Sequence, residues 1–426
     1  MSGGGSGPEE RHGAHPVTGI SAQGPHGPSG PYSPSSPSSA SSPSSASVAD
    51  GGSNSDRAGG RAGAPESAPG ARPGSAAGRG VRPRAVVAEP AAGASVTVRV
   101  PAKVNVQLAV GGLRPDGFHD LANVFLAVGL HDEITAAPAD APAITVTGPD
   151  AGQVPLDRTN LAARAAELLA AHHGIEPRVR LHIAKDIPVA GGMAGGSADA
   201  AGALLACDAL WGTRASREEL LDICAELGSD VPFSLVGGAA LGRGRGELLT
   251  PLGVGGAFHW VFAVADGGLS TPAVYRECDR LREVSGTGAS VTDVPDPEPS
   301  RPLLDALAAG DAAALADALM AGGTSNDLQA AALSLRPSLA DTLAAGARAG
   351  ALAGIVSGSG PTTAFLAGSA GEAEALAAAL RDSGTCRTAR VAASPAAGAT
   401  LLTPAPASGA APTPAAPGTA AVPPAV

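Results

Sequence analysis

Two stretches of this chain combine residue types and spacing that suit phosphate chemistry. The first runs Pro188-Val189-Ala190-Gly191-Gly192-Met193-Ala194-Gly195-Gly196-Ser197 and leads into an apolar stretch that ends near Trp211. Four glycines within six residues let a backbone turn through positive φ and approach a ligand without Cβ obstruction. Several N–H groups can then converge on phosphate oxygens. If the apolar stretch is a helix, Ser197 and the free amides beside it lie at its N-terminus, where the dipole favours anions. The bland alternative is a flexible turn with Ser197 as an ordinary N-cap. The second signal is lysine use: of 28 basic residues only Lys103 and Lys185 are lysines. A chain so biased toward arginine keeps lysine where a compact ammonium is wanted rather than a planar fork. Lys103, in PAKVNVQL at the end of a first strand, can project a charge into a cleft; a solvated surface lysine is the competing reading. Lys185, just before the glycine loop, is read as a strand-edge residue touching the nucleotide.

Other phosphate-binding and metal devices are missing from the sequence. There is no G-x-x-x-x-G-K-[ST], no G-x-G-x-x-G in the loop and no protein-kinase signature. The four cysteines (207, 224, 278 and 386) show no C-x-x-C spacing, which argues against structural zinc and a disulfide scaffold and fits a reducing cytoplasm.

The elements that must hold these groups follow from periodicity. Val96 to Val100 alternates as a half-buried strand, and Ala143 to Thr147 and Arg178 to Ala184 repeat the pattern. Asn160 to His173 has helical spacing closed by Gly174, and Ser216 with Glu219 forms a capping box for a helix ended by Gly228. A second half opens with a strand at Phe258 to Ala265 and continues through Ala- and Leu-rich helices to about residue 350. Strands near 354–357 and 362–366 and a helix over 372–381 follow, which gives an α+β body.

Composition bounds that body. The 59 glycines and 38 prolines are almost a quarter of the 426 residues, too many for one packed unit. Nine of the ten aromatics lie between residues 118 and 365. The expected organisation is a disordered Gly/Pro/Ser/Ala-rich arm over 1–94, an N-terminal domain over 95–255, a C-terminal domain over 256–393 and a disordered Ala/Pro-rich tail over 394–426. From residue 95 onward 33 acidic groups face 21 basic ones. That balance opposes general nucleic-acid binding, which needs clustered Lys and Arg. The first thirty residues lack an apolar signal region, and no run of about 18 apolar residues occurs, so no membrane partner is expected.

Taken in order, PAKVNVQL, the PVAGGMAGGSADAA loop and Gly354-Ile-Val-Ser-Gly358-Ser359-Gly360-Pro-Thr resemble the three motifs of the GHMP kinases, the galactokinase, homoserine kinase, mevalonate kinase and phosphomevalonate kinase type. The resemblance covers about 95 to 393. It implies a two-subdomain fold, with a ribosomal S5 domain 2-like N-terminal half and an α/β C-terminal half, and ATP as co-substrate with Mg2+. Arg114-Pro-Asp-Gly-Phe118-His119 and Gly228-Ser-Asp230-Val-Pro-Phe233 look like the branch acting on a cytidine-diphosphate-linked methylerythritol in non-mevalonate isoprenoid synthesis. Siblings acting on homoserine or a mevalonate-type substrate, or a non-catalytic nucleotide-binding module, are the alternatives.

The resemblance also assigns roles. Asp230 is similar to the carboxylate that takes or orients the proton of the substrate hydroxyl, with Lys103 beside it; alone, Asp230 reads equally as an Asx-turn residue. Asn105, His119 and the Gly358-Ser359-Gly360 turn match substrate-side positions. Phe118 and Tyr275 match the aromatics that sandwich the cytosine, although a core-filling role is the ordinary fate of such rings. Asn160-Leu161 matches the adenine-pocket segment, although Asn160 alone reads as an N-cap. Residues 188–197, with Lys185, form the ATP side, and Ser197 is the candidate Mg2+ ligand. No obligate protein partner is expected. Three residues depart from the usual loop: Met193, Ala194 and Asp199, of which Ala194 restricts φ most.

Overall fold

The computed structural model describes residues 94–285 and 294–402. The expected arm, but for Ala94, and the part of the expected tail beyond 402 lie outside the described residues.

The first half is built on a long hairpin. Strand β1 (Val96–Leu113) pairs antiparallel with β2 (His119–Pro138). Val98, Val100, Ala102, Val104 and Val106 alternate into the main core. Lys103 and Asn105 alternate the other way, so both reach one side of the strand. Then follow β3 (Ala143–Thr147), α1 (Leu161–His173), β4 (Val179–Ala184), α2 (Gly195–Trp211), α3 (Arg217–Leu227), α4 (Val231–Val236), β5 (Ala239–Arg243) and β6 (Leu248–Pro251). Helix α1 starts and stops on the expected signals: Asn160 accepts from the Ala162 amide, and Gly174 closes it at φ +64°. Ser216 caps α3 by accepting from the Glu219 amide.

The second half comprises β7 (Phe258–Val264), α5 (Thr271–Val284), α6 (Arg301–Ala309), α7 (Ala312–Met320), α8 (Gln329–Leu335), α9 (Ser338–Arg348), β8 (Ala353–Val356), β9 (Thr363–Ala367), α10 (Ala370–Asp382) and β10 (Thr388–Ser394). Its four-stranded antiparallel sheet has the order β10-β7-β9-β8. The α+β, two-half expectation holds. One hydrophobic cluster joins the halves: Val100 and Leu204 share it with Trp260, Leu303 and Leu366.

The chain then returns to the first half, which moves the expected end of the folded body. Strand β11 (Thr400–Leu402) pairs antiparallel with β1 and closes a seven-stranded sheet of order β11-β1-β2-β4-β3, with β5 and β6 running off β2. On the way, Ala396 donates to the Ala127 carbonyl and accepts from Gly238, and Ala399 donates to Ser234. Residues 394–402 therefore belong to the fold and not to the tail. Backbone groups make this attachment, and any non-proline residue supplies them, so an Ala-, Pro- and Gly-rich sequence gives no side-chain sign of it.

Candidate active site

Three segments distant in sequence meet at Lys103. Its ammonium, almost wholly buried, donates to Asn105 Oδ1 at 2.5 Å and to the Gly192 carbonyl at 3.0 Å. Asp230 Oδ2 stands 3.5 Å away. Asp230 is the residue before the short helix α4, and its carboxylate is about one-third exposed, so it faces the cleft while touching a buried cation. Asn105 is in turn fixed by Asn123, whose Oδ1 accepts from Asn105 Nδ2 at 2.8 Å. The Gly192 carbonyl also accepts from Ser357 Oγ at 3.2 Å, which ties the glycine loop to the third segment.

Close approach explains the glycines here. Gly192 sits at φ +73°, and a Cβ on it would lie 2.2 Å from the Ser357 carbonyl oxygen; Gly358, at φ +57°, would push a Cβ within 2.9 Å of Asn105 Oδ1. Neither position accepts a side chain without breaking the Lys103 cluster. The turn around Gly358 hangs on a residue that drew no attention in the sequence: buried Asn326 donates to the carbonyls of both Val356 and Gly358 at 2.8 Å.

Helix α2 starts at Gly195, with Ala194 as its N-cap residue at φ +59° and no side-chain cap. Ser197 is therefore inside the first turn and is not the N-cap. Ala194, the residue that restricts φ most in the loop, takes a left-handed geometry, held at about 1 kcal/mol or somewhat more of strain. Uncapped amides at this end remain available to an anion.

Lys185 takes a different place from the one expected. Its ammonium is buried between Asp132, the closer partner, and Asp199 Oδ2 at 3.0 Å, beneath the loop, and it does not line the cleft. Asp132 Oδ1 also accepts the amides of Asp186 and Ile187 at 2.7 and 2.9 Å. Two carboxylates share one cation here. Burial, chiefly, pushes the Asp199 carboxyl up to about 7, against the pull of Lys185. Burial acts to lower Lys185, but Asp199 and Asp132 outweigh it and hold its ammonium above the usual lysine range.

Lys103, Asn105, Asn123 and Asp230 open on a cleft of about 680 Å3. Lys103, Asn105, Asp230, Ala190 to Gly192, Ala194 to Ser197 and Gly358 to Gly360 line it, and so do Phe118, His119 and Tyr275. His119 Nε2 is 3.0 Å from Asp279 Oδ1, and the His119 ring stacks on Tyr275 at 5.1 Å between centroids. Phe118 is nearly half exposed, so it does not fill the core. Pro188, Val189, Met193, Asn160 and Leu161 are not on the cleft wall. Met193 is core, and Asn160 spends both side-chain functions on the N-cap and on the Pro155 carbonyl. Leu161 sits behind the loop, its Cδ1 3.8 Å from where a Gly196 Cβ would stand. Asn123, Asn326, Asp132 and Asp279 were missed. Each acts through a partner remote in sequence and leaves no local signature.

Two family models match: GHMP kinases N terminal domain over residues 160–238 and GHMP kinases C terminal over residues 303–386. The 4-diphosphocytidyl-2-C-methyl-D-erythritol kinase of Streptomyces avermitilis is 76% identical over 308 residues, which is 72% of this chain and 100% of that protein. The enzyme of that name from Thermobifida fusca is 57% identical over 316 residues, 72% of this chain and 98% of its own length. A crystal structure of 4-(cytidine 5'-diphospho)-2C-methyl-D-erythritol kinase matches with a TM-score of 0.55 at 32% identity, covering 70% of this chain and 99% of that one. The homoserine kinase of Cytophaga hutchinsonii has a TM-score of 0.54 at 20% identity over 72% of this chain and 97% of its own, a likeness of fold alone.

Proposed function

This chain belongs to the GHMP kinase family, and we propose that its cleft transfers the γ-phosphoryl group of ATP to the 2-hydroxyl of 4-diphosphocytidyl-2-C-methyl-D-erythritol. The observation that carries this reading is the Lys103–Asp230 pair, 3.5 Å apart, in one cleft that holds the glycine loop and the Phe118, His119 and Tyr275 group.

Phosphoryl transfer asks mainly for positioning and charge stabilisation. The amides of the loop and of the first turn of α2 receive the phosphates. Asp230 accepts the proton of the attacking hydroxyl. Lys103, fixed by Asn105 and by the Gly192 carbonyl, faces Asp230 and offsets charge that develops on the attacking oxygen. Because the same ammonium holds the loop carbonyl, the phosphate cradle and the base stay in register. At the acceptor end, Phe118 and Tyr275 supply ring faces for the cytosine; His119 backs Tyr275 and is itself oriented by Asp279.

The residues present fit a magnesium ion. Among the described residues no cluster of three His, Cys, Asp or Glu could cage a cation, and Mg2+ bound with ATP takes one or two protein oxygens plus phosphate oxygens and water. Ser197 Oγ, on the cleft wall, is the protein oxygen that would hold it. When bound, the ion neutralises charge on the phosphate oxygens.

No helix among the described residues is long and apolar enough to cross a membrane. The four free cysteines, three of them buried, suit the reducing cytoplasm in which we place the reaction. Coupled ADP release with Mg-ATP against the cytidine-diphospho substrate, homoserine and mevalonate tests the assignment. Turnover with the first alone is expected; preference for either of the others overturns it.

A further inference from the structure

The Arg245 guanidinium carbon lies 5.0 Å from the centre of the Phe118 ring, and both residues line the cleft. We propose that Arg245 is a positioning residue that sets substrate specificity: its guanidinium stacks on Phe118 and holds that exposed ring in the orientation that receives a pyrimidine base. The proposal rests on the functional reading above.

Phe118 needs such a brace. It closes the β1–β2 turn, where its carbonyl accepts from the Arg114 amide at 2.7 Å and its own amide donates to Asp116 Oδ1 at 3.1 Å. These bonds fix the backbone and leave the side chain nearly half exposed, the ring free to turn about χ1. Arg245 is itself held in place. It occupies the tip of the β5–β6 hairpin between Gly244 and Gly246, both at positive φ. Its amide donates to Glu247 Oε2 at 2.7 Å, its Nε is 3.6 Å from Glu247 Oε1, and Nη2 donates to the Ala225 carbonyl at 3.3 Å in the last turn of α3. The Gly244 carbonyl accepts from the Leu121 amide at 2.8 Å, which anchors the hairpin tip to β2 beside the turn carrying Phe118. Glu247 and Ala225 both engage the guanidinium edge, so its flat face is left for the ring. A ring held in one orientation before binding costs less to order when the base arrives.

Arg245→Met should raise KM for the cytidine-bearing substrate about two- to fivefold, the yield of one partly exposed cation–π pair. The kcat and the KM for ATP should stay put, and Arg245→Lys should restore part of the loss. In a Phe118→Ala background Arg245→Met should have no further effect. Multiplicative effects of the two substitutions, or an unchanged KM in Arg245→Met, overturn the proposal. A melting temperature near that of the parent separates positioning from unfolding. A second readout needs no substrate. The chain has six phenylalanines, so ring 13C spectra of the Phe-labelled protein are sparse, and the signal lost in Phe118→Ala should shift in Arg245→Met. An unmoved Phe118 signal refutes the brace even if the cytidine substrate proves wrong. Conversely, a shifted signal in a protein that ignores cytidine substrates refutes the functional reading alone.

Discussion

Replacing Lys185 by methionine separates a residue that supports the phosphate loop from one that touches nucleotide. The substitution keeps the bulk of the side chain and removes the only ammonium between the buried Asp132 and Asp199. Breaking a buried pair by deleting one partner costs about 3–5 kcal/mol. The lower end applies, because Asp132 retains the amides of Asp186 and Ile187 and Asp199, already pushed up to about 7, can take a proton. At about 2 °C or more per kcal/mol for a body of this size, a fall in Tm of roughly 6 °C is expected. The fluorescence of buried Trp211 and Trp260 reports it in heat or urea. Adding Asp199→Asn should recover much of the loss, since one unpaired carboxylate goes. The pH dependence carries a definite sign. Asp199 holds its proton more tightly folded than unfolded, so its contribution is full below pH of about 4 and is lost as pH rises through about 7. Asp199→Asn should flatten that slope. An unchanged Tm in Lys185→Met together with a tenfold rise in KM for ATP would refute the reasoning and return Lys185 to the nucleotide.

Asp230→Asn and Lys103→Met should each lower kcat at least about a hundredfold with ATP affinity little changed, measured by single-turnover phosphoryl transfer and nucleotide titration. Tyr275→Ala should raise KM for the cytidine substrate about ten- to a hundredfold, the worth of one stacked base, with kcat nearly intact; Tyr275→Phe, which keeps the ring against His119, should be mild. A chain trimmed to 92–404 should melt and turn over like the full chain. One ending at Ser394 should lose stability and kcat together, because Ala399 bonds to Ser234 within the helix that follows Asp230 and Ala396 bonds to Gly238 just beyond its end; equal behaviour of the two trimmed chains would exclude that anchoring.

Local rules carried the reading of the sequence where side chains carry the structure. Asn160, Gly174 and Ser216 cap helices because caps use neighbours two to four residues away. The strand β2 escaped notice because Val124 to Val128 is buried on both faces and reads as a short apolar run with no alternation. β11 escaped because backbone groups alone dock it. At the site, Lys103 stood out through its rarity, and the loop through its glycines. The contacts that make them a unit, Asn105 to Asn123, Gly192 to Ser357 and Asn326 to Gly358, join residues up to 165 positions apart. No spacing in the sequence announces them. Lys185 shared the rarity of Lys103 but lies between two aspartates, and only the fold distinguishes a lysine that faces the cleft from one beneath its floor.

The central claim is that the pair Lys103 and Asp230 moves one phosphoryl group from the glycine-loop nucleotide to a hydroxyl of a cytidine-diphosphate-linked substrate in the same cleft. The most direct measurement is 31P NMR of Mg-ATP with 4-diphosphocytidyl-2-C-methyl-D-erythritol and the full chain. The account predicts one new phosphomonoester signal growing in step with ADP, the substrate diphosphate signals kept, and both changes abolished in Asp230→Asn. ADP and free phosphate without a new monoester, or a monoester formed at full rate by Asp230→Asn, would contradict it.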